Sequence, residues 1–213
     1  METGSHPYPN ENDFRGPCDE IHRRFGPYWK VPLHSSILDF VVSEIPPNAR
    51  VLDVGAGPRG FGEKVTARHG SITYRSMDTD TSTFQDYHCL SEIEEKFDVV
   101  MLMEVIEHLP REAAWDLLLS LADLLAPGGK LIVSTPNTLN PARFLCYVGH
   151  VTPFAYDWLA AHIELVGLKV ERIARILGGG LTRRICAHLC YPIWRTLNLD
   201  PAIQVVVVAR RPD

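Results

Sequence analysis

Residues 51–62, VLDVGAGPRGFG, constrain what this chain can fold into more than any other stretch. Val51, Leu52 and Val54 form the short apolar run of a strand buried on both faces, and a cluster of Gly and Pro then stops it. Glycines at 55, 57 and 60 permit positive φ angles and let a ligand approach bare backbone where a Cβ would collide. A helix is predicted over residues 60–68, with its free N–H groups turned toward the same space. The glycine pattern alone is also compatible with a tight strand-to-helix turn that binds nothing.

Two acids narrow the reading. Asp53, two residues before the first glycine, is unfavourable beside a diphosphate; it suits an ammonium group, or it could hold the loop through backbone N–H bonds. The ligand implied is cationic or zwitterionic. Asp78 follows the apolar stretch 72–77, and a βαβ unit brings it to the end of the neighbouring strand, where an acid accepts ribose hydroxyls.

The 213 residues, 46% of them apolar, suffice for one well-packed domain. A net charge of −5 argues against broad binding to nucleic acid, so no nucleic-acid partner is expected. Five cysteines without a C-x-x-C pair fit a reducing, cytoplasmic setting, and Cys186, His188 and Cys190 match no standard zinc spacing. No leader or transmembrane run is read, and METGSH at the start carries no inference.

Along the chain, residues 1–20 are rich in Pro, Asn, Gly and charge, which predicts an irregular arm. A helix is predicted over 35–45 and ended by Pro46 and Pro47. A strand is predicted over 99–103, an amphipathic helix over 111–126 and a strand over 131–133. Residues 140–153 read as a loop or helical insertion, 156–165 as a helix, and 168–173 and 203–209 as strands. Between the last two, residues 177–199 carry Arg183, Arg184 and Arg195 among apolar residues. A packing helix with exposed arginines is the simpler reading, and peripheral contact with a membrane is the alternative.

The run from Val51, the strand exit E-V-I-E-H-L at 104–109, and A-P-G-G-K-L-I-V at 126–133 together resemble the motifs of Rossmann-like S-adenosylmethionine-dependent methyltransferases, with quinone-type O-methyltransferases nearest in motif. The family's D-x-G-x-G-x-G is altered here: Arg59 stands at the third glycine and Gly60 follows one place late. The resemblance covers roughly residues 33–210 and implies a single doubly wound α/β sheet of about seven strands, mostly parallel, with an antiparallel last strand. It leaves residues 1–32 as an arm or lid in which Tyr28, Trp29 and Lys30 could close over a ligand or serve as core aromatics. It also implies S-adenosylmethionine as cofactor, held by Asp53, Gly55, Ala56, Gly57, Asp78, Thr79, Asp86, Tyr87, Met103 and Glu104, with Asp86 meeting the adenine amino group.

Methyl transfer to a hydroxyl requires alignment of donor and acceptor and removal of a proton, which a histidine can assist. His108, at a strand exit, and His150, in the insertion, are the catalytic candidates, and either could be structural. Glu104, Glu107, His108 and His150 also resemble the acidic-histidine set of metal-dependent small-RNA 2′-O-methyltransferases. The same E-V-x-E-H-L pattern occurs in metal-free relatives, so no metal is expected. The acceptor implied is a small or lipid-like molecule. An NAD(P)-dependent oxidoreductase would share the glycine turn but leaves Asp53 and residues 104–108 unexplained, and a non-catalytic cofactor-binding protein would account for Arg59. Nothing in the sequence sets an oligomeric state.

Overall fold

A computed structural model describes residues 7–213. Its elements run α1 (Glu11–Phe25), β1 (Leu33–His34), α2 (Ile37–Glu44), β2 (Arg50–Val54), α3 (Gly60–His69), β3 (Thr73–Met77), β4 (Phe97–Met103), α4 (Arg111–Leu124) and β5 (Leu125–Pro136). After these come α5 (Pro141–Leu145), α6 (Tyr156–Leu165), β6 (Lys169–Ile176), α7 (Leu181–Leu189), α8 (Tyr191–Thr196) and β7 (Gln204–Arg210).

The seven strands form one sheet in the order β1-β6-β7-β5-β4-β2-β3. All pairings are parallel except those of β7, which runs antiparallel to β5 and β6. The doubly wound, mostly parallel expectation therefore holds. The alternation of side chains along each strand feeds two cores. Leu52, Val54, Val100, Leu102, Val205 and Val207 pack with α4 and α6, whereas Val51, Val99, Met101, Val206 and Val208 pack with α2 and α3. This explains why β7 reads as unbroken valine: both of its faces are dry.

Three elements depart from the sequence reading. The arm expected to be irregular contains α1, because Asn10 and Asp13 form a reciprocal N-terminal cap and Phe14 and Ile21 bury one face against α6. Residues 1–6 of that arm lie outside the described residues. The helix expected to reach 126 stops at Leu124, and β5 begins at Leu125, which pairs with Phe97. The 177–199 segment forms two helices that pack little: Ala187 is the one buried residue of α7, and Leu181, Ile185, Leu189, Ile193 and Leu197 are exposed. The stretch fails as a packing helix because its apolar side has no neighbouring layer to cover.

Tyr28 is a core residue rather than an open lid. Its hydroxyl donates to buried Asp200 at 2.5 Å, and Asp200 also accepts from Asn137 at 3.0 Å and from Arg175 at 3.1 Å. The Arg175 guanidinium lies over both Tyr28 and Trp29, while Lys30 is exposed.

Candidate active site

The site is built where β2, β3 and β4 end side by side. Gly55 N–H and Ala56 N–H both donate to the Met77 carbonyl, at 2.8 and 3.2 Å, which turns the chain sharply as it leaves β2. Gly55 has φ 71°, and a Cβ there would meet Val105 Cγ2 at 2.4 Å. Gly57, at φ 50°, has nothing within 4 Å of its would-be Cβ, so bare backbone opens onto free space. Its N–H donates to Asp78 Oδ2 at 2.8 Å, and its carbonyl accepts from Gln85 at 2.7 Å. Asp78 thus stands beside the turn, as the spacing predicts, with Asp80 N–H on its other oxygen at 2.9 Å.

Asp53 does not hold the loop through backbone N–H bonds, the structural alternative the sequence offered. It is buried in β2 and accepts from the Tyr74 hydroxyl at 2.9 Å; the carboxylate that holds the loop N–H is Asp78. Burial pushes its pKa up to about 6, opposed by the Tyr74 hydrogen bond and the charge of Arg59. Arg59, which in the sequence stands in place of the third glycine, lies beside Asp53. It takes the left-handed conformation, φ 62°, and its guanidinium lies between the rings of Tyr74 and Phe84, 3.7 Å from Asp86. The backbone shape of the glycine turn is kept, and a cation is added to its rim.

Asp86 and Tyr87 reach the end of β3 but are already engaged. Asp86 accepts from Ser76 N–H at 2.9 Å, Ser76 Oγ at 3.1 Å and Arg75 at 3.0 Å. Burial would raise its pKa, yet these donors and Arg59 hold it below the usual range. The Tyr87 hydroxyl donates to Glu95 at 2.6 Å. Thr79 is exposed beside Asp78.

At the β4 exit, Met103 pairs with Ser134, and Glu104 adopts φ 56°. Its N–H donates to the Ser134 carbonyl at 3.2 Å, and its carboxylate accepts from Ser134 Oγ at 2.9 Å. Burial raises the Glu104 pKa. The chain then makes a 3-10 turn, Ile106–His108. Glu107 is fully buried with neither carboxylate oxygen hydrogen-bonded, and burial followed by repulsion from Glu104 raises its pKa to about 8. Its backbone carbonyl accepts from Val151 and Thr152 N–H at 2.8 and 3.0 Å, which ties the insertion to this turn.

That tie brings His150 to the cluster. Its Nε2 lies 3.9 Å from Glu107 Oε1, and the two histidine rings are 4.9 Å apart. One ligand atom each from Glu107, His108 and His150 lies within 4.8 Å of the others, whereas Glu104 is held aside by Ser134. Both catalytic candidates from the sequence thus meet at one place, adjoining the exit of β4. The five cysteines are free.

The chain resembles known proteins in the same region. A methyltransferase-domain family matches residues 12–173. A ubiquinone biosynthesis O-methyltransferase of Xylella fastidiosa (strain 9a5c) is 33% identical over 141 residues, 55% of this chain and 56% of that protein. One of Xanthomonas axonopodis pv. citri (strain 306) is 32% identical over 181 residues, 68% of this chain and 75% of that protein. The chain thus spans little more than half the length of the Xylella relative. Among solved structures, a SAM-dependent methyltransferase from Archaeoglobus fulgidus has a TM-score of 0.64 at 18% identity, covering 94% of this chain and 97% of that one. The 1,6-didemethyltoxoflavin-N1-methyltransferase of Burkholderia thailandensis, solved with S-adenosylhomocysteine, has a TM-score of 0.52 at 15% identity, covering 96% and 80%. With the family matching from α1 into β6 across every strand end that builds the cleft, the chain belongs to the methyltransferase-domain family.

Proposed function

We propose that this protein transfers the methyl group of S-adenosylmethionine to a hydroxyl on a small or lipid-like acceptor. The observation that carries the reading is the convergence of the open Gly57 backbone, Asp78 and the Glu107, His108 and His150 cluster at adjacent ends of β2, β3 and β4. The cofactor fits these residues: Gly57 offers a surface that a side chain would fill, Asp78 has carboxylate oxygens beside it for the ribose hydroxyls, and Asp53 adds an acid below the turn.

Bound S-adenosylmethionine supplies an electrophilic methyl carbon on a sulfonium. The acceptor oxygen forms the new O–C bond as the C–S bond breaks, the electron pair stays on sulfur to give S-adenosylhomocysteine, and the hydroxyl proton leaves. Loss of that proton is assigned to the Glu107, His108 and His150 cluster. An apolar acceptor suits the loop that brings His150, since Leu145, Tyr147, Val148 and Val151 are exposed around it. The same surface, in a chain of net charge −5, disfavours RNA. A cytoplasmic setting belongs to this reading.

Calorimetric titration with S-adenosylmethionine, S-adenosylhomocysteine and NAD tests the cofactor, and Asp78→Asn should weaken the first two at least ~10-fold through loss of charge-assisted hydrogen bonds. Labelled methyl uptake from fractionated extracts tests the acceptor. No affinity for either nucleoside defeats the proposal, and label appearing in RNA would replace the acceptor class.

A further inference from the structure

We propose that α7 and α8 dock the protein on the surface of an anionic lipid bilayer. The docking rests on the methyl-transfer reading above only for its purpose, access to a lipid-like acceptor, and not for the binding itself.

Helix periodicity shows which side of α7 is unpartnered. Leu181, Ile185 and Leu189 follow one another at four-residue intervals and so form one row along the helix. They are 69%, 49% and 76% exposed. Ala187, the buried residue of α7, lies about 200° round the helix from Ile185. The helix therefore rests on the protein by its small residue and turns its large aliphatic row outward. A helix that only packs does the reverse. Ile193 in α8 and Leu197 just after it repeat the four-residue step and are more than half exposed. Aliphatic side chains displayed together in this way lose contact with water only against an apolar phase.

Charge selects the occupant. Residues 177–199 contain Arg183, Arg184 and Arg195 and no acid, although the whole chain has a net charge of −5. Arg184 and His188 border the aliphatic row at the same four-residue spacing. A long cationic side chain at the edge of an apolar row buries its stem and keeps its charge at the level of the headgroups. Anionic headgroups neutralise these arginines, whereas a second copy of the chain would bring like charges together. RNA would meet mainly aliphatic side chains where stacking calls for aromatic ones.

The location suits the acceptor proposed above. β5 and β6 both run antiparallel to β7, and β5 is parallel to β4 and β4 to β2, so α7 leaves β6 at the end of the sheet where the cleft lies. Docking through α7 and α8 sets that end at the bilayer. The family match stops at residue 173, so this face lies beyond it.

The test is flotation of the full chain, without an affinity tag, with vesicles of phosphatidylcholine alone and of an equal mixture of phosphatidylcholine and phosphatidylglycerol. The mixed vesicles should bind at least ~10-fold more tightly, and less so at high salt. Arg184→Glu with Arg195→Glu should weaken binding to them at least ~10-fold. Arg50→Glu with Arg68→Glu, the same charge change at the start of β2 and the end of α3, at the other end of the sheet, should alter it by less than ~2-fold. Ile185→Ser with Leu189→Ser should also cost at least ~10-fold, and since these side chains are exposed the far-UV circular dichroism should match the parent. No flotation of the parent with mixed vesicles, or flotation that survives both α7 changes, overturns the docking. So does a parent dimer in sedimentation velocity that Ile185→Ser with Leu189→Ser disperses, which would assign the face to a second copy. Failure to float with S-adenosylmethionine binding intact refutes the docking and leaves the proposed reaction standing; flotation without nucleoside affinity does the reverse.

Discussion

Gly55 and Gly57 lie two residues apart, both at positive φ, yet the structure gives them different jobs, and alanine at each should separate folding from ligand binding. A methyl group in the left-handed region costs roughly 1–2 kcal/mol at either position. At Gly57 nothing adds to this, since the new Cβ has no neighbour within 4 Å. At Gly55 the Cβ would sit 2.4 Å from Val105 Cγ2 and 3.2 Å from Cγ1. Val105 is β-branched and stiff, so overpacking adds roughly 1–3 kcal/mol. Gly57→Ala should therefore lower the melting temperature by about 5 °C and Gly55→Ala by about 10 °C. The order reverses for ligand per folded molecule: the Gly57 methyl fills space left for the cofactor and should weaken S-adenosylhomocysteine at least ~10-fold. Differential scanning fluorimetry and calorimetry on the same samples measure both. If Gly57→Ala binds the nucleoside like the parent chain, the turn does not face the cofactor and the assignment of the cleft is refuted.

Two further predictions address Arg59 and His162. Arg59→Gly should be more stable than Arg59→Ala by about 1 kcal/mol in chemical denaturation, because both lose the contacts with Tyr74, Phe84 and Asp86 but only glycine relieves the left-handed backbone; equal stabilities would show that the position is unstrained. His162 is buried, with Nδ1 donating to the Trp158 carbonyl at 2.7 Å and Nε2 accepting from Tyr8 at 2.9 Å, and burial lowers its pKa to about 4 from 6.5. At this site the unfolded chain then binds more protons between these values, so the contribution of His162 to stability should fall by about 3 kcal/mol as pH drops through that window and level off below it. Asp53 and Glu107, whose raised pKa values act with opposite sign, are shared by both proteins when the parent is compared with His162→Phe, and that difference should shrink as pH falls. A constant difference across the range would refute the assignment.

The sheet and the cleft were legible because their signals are local: an apolar run cut by glycine, an acid at the next strand's end, and E-x-x-E-H after β4. What escaped depends on distant partners. The capping residues of α1 are readable, but Gly16 and Pro17 speak against a helix, and the helix survives because Phe14 and Ile21 meet α6. The partners of Asp53 and Asp86 come from elsewhere in the fold: Tyr74 engages the first, and Ser76 and Arg75 engage the second. His108 and His150 were visible as residue types, whereas the carbonyls of Gly149 and Phe144 that fix which nitrogen is free belong to backbone geometry.

The buried junction of Tyr28, Asn137, Arg175 and Asp200 knots together segments from both ends of the chain. Cutting the polypeptide near residue 32 would strip a hydroxyl from an acid with no access to water, so the amino-terminal portion cannot be treated as a detachable accessory. The loosely packed excursions 140–153 and 177–199 contribute no hydrogen bond to that junction, so substitutions on their exposed faces should leave it intact.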